Sequence, residues 1–200
     1  MPIFRTPFSR GYWQAAARSL KDIRMLVLAA LLVALRVAVK SLSIPVGESL
    51  YITIGFLPNA LGSLVYGPYL ALLSGAASDI LGWMISPKGP FFPAFTLVEM
   101  LGSFFFALFL YRAPLTPRGL AARAALAKLY VNLILNILLT PIFLSWMYGK
   151  GVLVYIVPRI TKNLILWVPE SLLLAAVLGA ALPSLRRFGL IAAKPPECSK

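Results

Sequence analysis

The chain has 200 residues, 60% of them apolar and only 12% charged, with 19 Lys and Arg against 6 Asp and Glu. A soluble domain carries about a quarter charged residues, so this composition excludes an ordinary soluble fold and points to an integral membrane protein. Histidine is absent and Cys198 is the single cysteine, which excludes a Cys/His zinc site, a disulfide and a histidine-based triad.

In chain order, residues 1–22 form a basic segment. Phe4, Phe8, Tyr12 and Trp13 interleave with Arg5, Arg10 and Arg18, a pattern that suits an interfacial helix on the inner leaflet, with a disordered basic tail as the alternative. Ser19-Leu20-Lys21-Asp22 has the form of a capping box opening the first span. The apolar run that follows is too long for a signal peptide and lacks a small-residue cleavage site, so it is expected to be retained.

Six transmembrane helices of about 20 residues are expected over 23–42, 50–66, 68–86, 91–111, 124–147 and 153–183, giving an all-α membrane domain over 23–183. Only Tyr66-Gly67-Pro68-Tyr69 divides the second span from the third, a turn signal with Pro68 placed to open the next helix. Residues 184–200 form a basic tail. The cations Arg5, Arg10, Arg18, Lys21 and Arg24, then Arg112, Arg118, Arg123 and Lys128, then Arg186, Arg187, Lys194 and Lys200 fall on one face of such a six-span chain. The positive-inside rule makes that face cytoplasmic, with both termini inside. Topology thus accounts for the net charge of +13 without a nucleic-acid partner.

Charge within a bilayer is costly and turns toward a protein interior or a water-filled cavity. Arg36 and Lys40 lie one turn apart in the first span, on a side roughly opposite Ala30 and Ala34, whose small side chains permit close approach of another helix. In the sixth span Arg159, Lys162 and Asn163 share a face near the outer leaflet, and Glu170 returns to it about 16 Å deeper; snorkelling of Arg159 and Lys162 to the outer headgroups is the alternative to a pocket. Pro169 leaves the Ile165 carbonyl without its usual donor, so a kink is expected there. Asp79, Glu99, Asn132 and Asn136 complete the intramembrane polar set. These side chains are expected to line one outward-opening small-molecule pocket, with aromatics dense around it at Tyr51, Trp83, Phe91, Phe92, Phe95, Trp146, Tyr155 and Trp167; many of these suit the aromatic belt at the membrane surface, which accounts comfortably for Trp146 and Tyr148, and others offer faces for a flat ring.

Six short-looped spans, the alanine pair within Ala29-Ala30-Leu31-Leu32-Val33-Ala34-Leu35 and the basic N-terminus resemble the substrate-binding S component of an energy-coupling factor (ECF) vitamin transporter. Tyr66-Gly67-Pro68, the run from Gly75 to Gly82, the run from Pro87 to Leu97 and the run from Pro158 to Ile165 are similar to its folate branch. The resemblance covers about residues 19 to 182. It implies a binder of folate or a related pterin in a prokaryotic cell membrane, docking on a membrane coupling subunit driven by two ATPases, with no cofactor, no metal and no enzymatic activity. It further implies that Ala30 and Ala34 contact the coupling subunit, that the S component topples to face its pocket inward, and that the loop over 87–93 acts as a lid. Arg159 and Lys162 would help hold the ligand, with Asp79 and the aromatics around Phe91 near its ring; Asn163, Phe95, Asn136 and Trp146 join the ligand set.

Arg36 and Glu99 stand where the family pattern tends to have small or apolar residues, Ala94 where it has glycine, and Glu170 where a neutral amide is expected. Either charge alone in hydrocarbon costs several kcal/mol, so Arg36 and Glu99 are expected to pair. If they instead face the ligand, specificity shifts toward another pterin or anionic vitamin. A lipid-modifying enzyme and a purely structural membrane subunit are the rival readings. The scattered carboxylates lack the catalytic constellation of the first, and the buried charges of four spans have no purpose in the second.

Overall fold

A computed structural model describes residues 9–41, 44–47, 50–87, 89–113 and 116–191. The elements run α1 (Arg10–Ser19), α2 (Ile23–Ser41), β1 (Ile44–Gly47), β2 (Leu50–Ile52), α3 (Phe56–Tyr66), α4 (Pro68–Ile85), α5 (Pro93–Leu110), α6 (Pro117–Tyr130), a π-helical segment (Val131–Leu139), α7 (Thr140–Tyr148) and α8 (Val152–Arg187). The basic residues Arg5, Lys88, Lys194 and Lys200, with Phe4, Phe8 and Cys198, lie outside the described residues. Among the described residues, four helical stretches are long and apolar enough to cross a membrane: α4, α5, the continuous rod from Arg118 to Tyr148, and α8. Helix α2 has 19 residues but carries Arg24, Arg36 and Lys40.

Proline opens α4, α5 and α6, where its missing N–H costs no helical bond. The turn between α3 and α4 falls at Gly67, whose φ of 83° is open to glycine and whose flank meets the Tyr111 ring, so a side chain there has neither the backbone nor the space. Gly149, at φ 69°, closes α7 in the left-handed conformation usual at a helix end.

Two expectations change. The second span is helical only over the 11 residues of α3, because β1 and β2 pair antiparallel with Ile44 opposite Ile52 and Pro45 opposite Tyr51. The β-branched run Ile52-Thr53-Ile54 and the glycines at 47 and 55 favour extended chain over helix. Ser19 does not cap α2 either. It ends α1, bonding the Ala15 carbonyl, while Asp22 takes the capping role by accepting the Arg24 N–H at 2.9 Å.

Helix α1 docks on the bundle instead of trailing from it. The buried Tyr12 hydroxyl donates to the Ala107 carbonyl at 3.1 Å, and its ring meets Tyr111 edge to face. Burial, with a smaller contribution from Tyr111, raises the Tyr12 pKa, so the phenol stays a donor at physiological pH. Trp13 packs on Tyr69 and Phe104.

Helix α5 packs on α3, α4 and α6, α8 on α6, and α2 on α3 and α4. Small residues permit the closest crossing: a methyl group on Gly75 of α4 would lie 2.8 Å from the Glu99 carbonyl oxygen and the Met100 Cα of α5. The apolar core occupies one end of the bundle, built from Met25, Ala29 and Leu32 of α2, Leu64 and Tyr66 of α3, Phe106 and Leu110 of α5, Leu120 and Ala124 of α6, and Leu174, Leu178 and Leu182 of α8. Toward the other end the same helices carry their charged and amide side chains.

Candidate functional site

Helix α2 presents Arg36 and Lys40 on its inner face, one turn apart. Arg36, 7% exposed, pairs with the Glu99 carboxylate of α5 and donates to Asn59 Oδ1 of α3 at 3.2 Å and Ser103 Oγ of α5 at 3.1 Å. Lys40 Nζ donates to Asp79 Oδ1 of α4 at 2.9 Å and Glu99 Oε1 at 3.3 Å, while Thr96 Oγ1 donates to Asp79 Oδ2 at 2.8 Å. Two cations and two carboxylates thereby form one neutral chain tying α2 to α4 and α5. This satisfies the burial cost that either partner alone would incur.

On the opposite wall, Asn163 of α8 donates to the Arg159 carbonyl at 2.8 Å, and Asn132 and Asn136 of the π-helical segment reach Asn163 O and Asn163 Oδ1, each at 3.4 Å. The widened turn has a local cause. Pro141 lacks an N–H, and the Thr140 N–H and hydroxyl both bond the Leu135 carbonyl, five residues back, the hydroxyl at 2.7 Å. Deeper along α8, Glu170 Oε2 accepts from Lys128 Nζ of α6 at 3.1 Å, and that ammonium sits 3.9 Å from the Phe56 ring centroid.

Between these walls lie two adjoining cavities of about 320 and 270 Å³. The first is walled by Trp83, Phe91, Phe92, Phe95 and Tyr148, with Asp79 and Thr140; the second by Arg36, Asn59, Lys128, Lys162, Asn163 and Glu170. Lys40, Val98, Glu99, Asn136 and Arg159 line both. The aromatic wall is itself a packed unit: Trp83 meets Phe91 at 5.3 Å, Phe92 meets Phe95 at 5.7 Å, both rings touch Phe143, and the Trp83 indole donates to the Gly89 carbonyl at 2.9 Å.

Nine of the ten candidate ligand residues converge here: Arg159, Lys162, Asn163, Asp79, Phe91, Phe95, Asn136, Arg36 and Glu99. Trp146 does not. It is 80% exposed, because Leu144, Met147 and Tyr148 occupy the cavity-facing side of α7 and helical spacing turns Trp146 away from them. Trp167 donates to the Ala125 carbonyl and lines neither cavity. Ala30 and Ala34 lie exposed on the outer face of α2, beside exposed Val27, Leu31 and Leu35.

Lys40, expected at the pocket from its one-turn spacing to Arg36, lines both cavities. Lys128 is the cation that sequence alone misplaces: its position beside the basic loop groups it with the cytoplasmic cations, yet it is 5% exposed inside α6, and the signal is Glu170, a buried acid in need of a cation.

The family model described as the S component of the ECF-type riboflavin transporter matches residues 21–183. The chain is 36% identical over 113 residues to the folate transporter FolT of Clostridium novyi (strain NT), covering 56% of this chain and 63% of that one. It is 32% identical over 127 residues to the folate transporter FolT of Streptococcus mutans serotype c, covering 62% and 68%. The match thus spans somewhat less than two thirds of the Clostridium protein. Its fold is similar to that of a crystal structure of FolT bound with folic acid, with a TM-score of 0.69 and 29% identity over 78% of this chain and 91% of that one.

Proposed function

The chain belongs to the ECF-type S-component family, matched from residue 21 to residue 183, and from that membership we propose that it is the substrate-binding membrane subunit of a vitamin importer, with folate or a closely related pterin as ligand. One observation carries the reading. Five cations, Arg36, Lys40, Lys128, Arg159 and Lys162, and three carboxylates, Asp79, Glu99 and Glu170, line cavities walled by aromatic rings. Five minus three leaves an excess of two positive charges among the described lining residues, which suits a ligand with two carboxylates. The similarity to FolT proteins supports the same ligand.

In this account Arg159 and Lys162 hold the carboxylates, with the planar guanidinium suited to bidentate capture. Phe91 and Phe95 flank flat rings by offset or edge contact, and Asn136 and Asn163 hydrogen-bond polar edges. Asp79 is engaged by Lys40 and Thr96, and Arg36 and Glu99 by each other, so these form the frame of the wall.

Helices α2, α3, α4, α5, the α6-to-α7 rod and α8 serve as the six membrane passages, with both termini cytoplasmic and the cavities facing outward. The cations at the packed end, including Arg24, Arg112, Arg118, Arg123, Arg186 and Arg187, support this orientation. Ala30 and Ala34 form the docking face for a coupling subunit joined to two ATPases, in a prokaryotic cell membrane.

Mass spectrometry of the ligand copurifying with the detergent-solubilised chain tests the reading, with riboflavin as competitor because the matching family model is named for it. A folate is expected; a flavin, or a ligand without an acidic group, contradicts the assignment. Leucine at Ala30 and Ala34 is expected to leave that ligand in place while abolishing uptake in cells supplying the coupling module.

A further inference from the structure

The least explained group in the cavity is Glu170. A buried ion pair adds little stability over a packed apolar pair of the same volume, so Lys128 and Glu170 in mid-helix need another reason. Both line the 270 Å³ cavity, Glu170 on α8 and Lys128 on α6. Lys128, 5% exposed, is fixed from two sides, by Glu170 Oε2 at 3.1 Å and by the Phe56 ring at 3.9 Å. The pair therefore offers an immobilised carboxylate beside an immobilised ammonium. An ionised carboxylate has about four acceptor positions on its two oxygens, so one lysine does not exhaust it.

Position gives the pair its meaning. Glu170 follows Arg159 by eleven residues on nearly the same face of α8, about 16 Å further along the axis toward the packed apolar core. The paired charges at that inner end leave no net attraction for a ligand carboxylate, whereas Arg159 and Lys162 attract one. What fits beside Glu170 is a neutral ring edge bearing N–H donors, with a carbonyl for Lys128.

We propose that Glu170, held by Lys128, is a second recognition point of the ligand site: its carboxylate accepts the adjacent N–H groups of a 2-amino-4-oxopyrimidine edge, and Lys128 donates to the 4-oxo group. This rests on the reading of the site as one for a folate-class ligand. It assigns the ring to the inner end, the carboxylates to Arg159 and Lys162, and the 2-amino group to Glu170 as a determinant of specificity.

The test compares folic acid with its 2-desamino-2-methyl analogue, measured by equilibrium binding to the full purified chain. The wild type is expected to prefer folic acid by on the order of 10- to 100-fold, the worth of a hydrogen bond to a charged group. Glu170→Gln is expected to narrow that preference to about threefold by weakening folic acid alone. Because Glu170→Gln leaves Lys128 buried without its carboxylate, the double variant Glu170→Gln/Lys128→Gln, which removes both charges, is measured beside it; it also loses the ammonium contact to the 4-oxo group that both ligands carry, so both affinities fall there while the preference narrows to the same roughly threefold. A merely structural role lowers both affinities by the same factor and leaves the preference undiminished, and that outcome overturns the proposal, as does a wild type with no preference. A wild-type chain that binds no folic acid sinks the folate reading itself, and this proposal with it.

Discussion

Arg159 is 9% exposed, lines both cavities and carries a guanidinium that cannot lose its charge at physiological pH. Replacing it by alanine removes one of the two cations assigned to the ligand carboxylates. Folate affinity is expected to fall by about 10- to 100-fold in the Arg159→Ala protein, with the elution profile of the purified chain unchanged; isothermal titration calorimetry reads the first and size-exclusion chromatography the second. Lysine at the same position is expected to recover part of the loss, since it restores charge without the planar fork. Single residues of this kind were largely legible in the sequence, because an ion in an apolar span has few places to point. The Arg36–Glu99 pair follows from that reasoning alone. Lys128 did not, since its place near a basic loop gave the positive-inside rule a ready but mistaken use for it. Trp146 fits a pocket or a membrane belt equally well by composition, and only the rotation of α7 separates the two.

At the scale of elements, the π-helical segment from Val131 to Leu139 sets the orientation of Asn132 and Asn136 toward Asn163. Pro141 and Thr140 maintain it by withholding one backbone donor and redirecting another to Leu135. In Pro141→Ala the restored N–H permits ordinary α-helical bonding, and retightening the turn rotates Asn136 away from the cavity. Folate affinity is expected to drop about fivefold, the worth of a lost neutral hydrogen bond, while thermal stability holds or rises; unchanged affinity would argue that the widened turn is incidental. Hydropathy located this rod, since apolar length survives any winding, but it carries no information on winding itself. The short α3 was hidden for a related reason: Tyr51-Ile52-Thr53-Ile54 is apolar enough to pass for the start of a span, and its β-branched character was the overlooked cue.

Over the whole molecule, packed apolar layers and polar cavities occupy opposite ends of one bundle. In lipid, helices gain little from burying apolar surface against each other, so the tight end is held by close packing and small residues while the other end is free to keep a hollow. The basic clusters gather at the packed end, which is the basis for placing the cavities outward. Cys198, the chain's single cysteine, reports on this placement directly. A membrane-impermeant maleimide is expected to leave it unlabelled in right-side-out vesicles and to label it after permeabilisation; labelling without permeabilisation reverses the orientation. Membrane class, most span positions and the shared direction of the buried charges were legible, because each follows from the cost of polarity in hydrocarbon. The hairpin, the docking of α1 and the division into a packed and a hollow end depend on side chains meeting across the fold.

In the proposed function the intramembrane cations and aromatic rings jointly form a binding site for a dianionic, ring-bearing vitamin. Titrating the purified, detergent-solubilised chain with radiolabelled folate in the absence of ATP tests it most directly. Saturable binding of one folate per chain, displaced by excess unlabelled folate and not by riboflavin, is the predicted result. A monodisperse chain that shows no saturable folate uptake from solution, or that releases bound folate to riboflavin, contradicts the account.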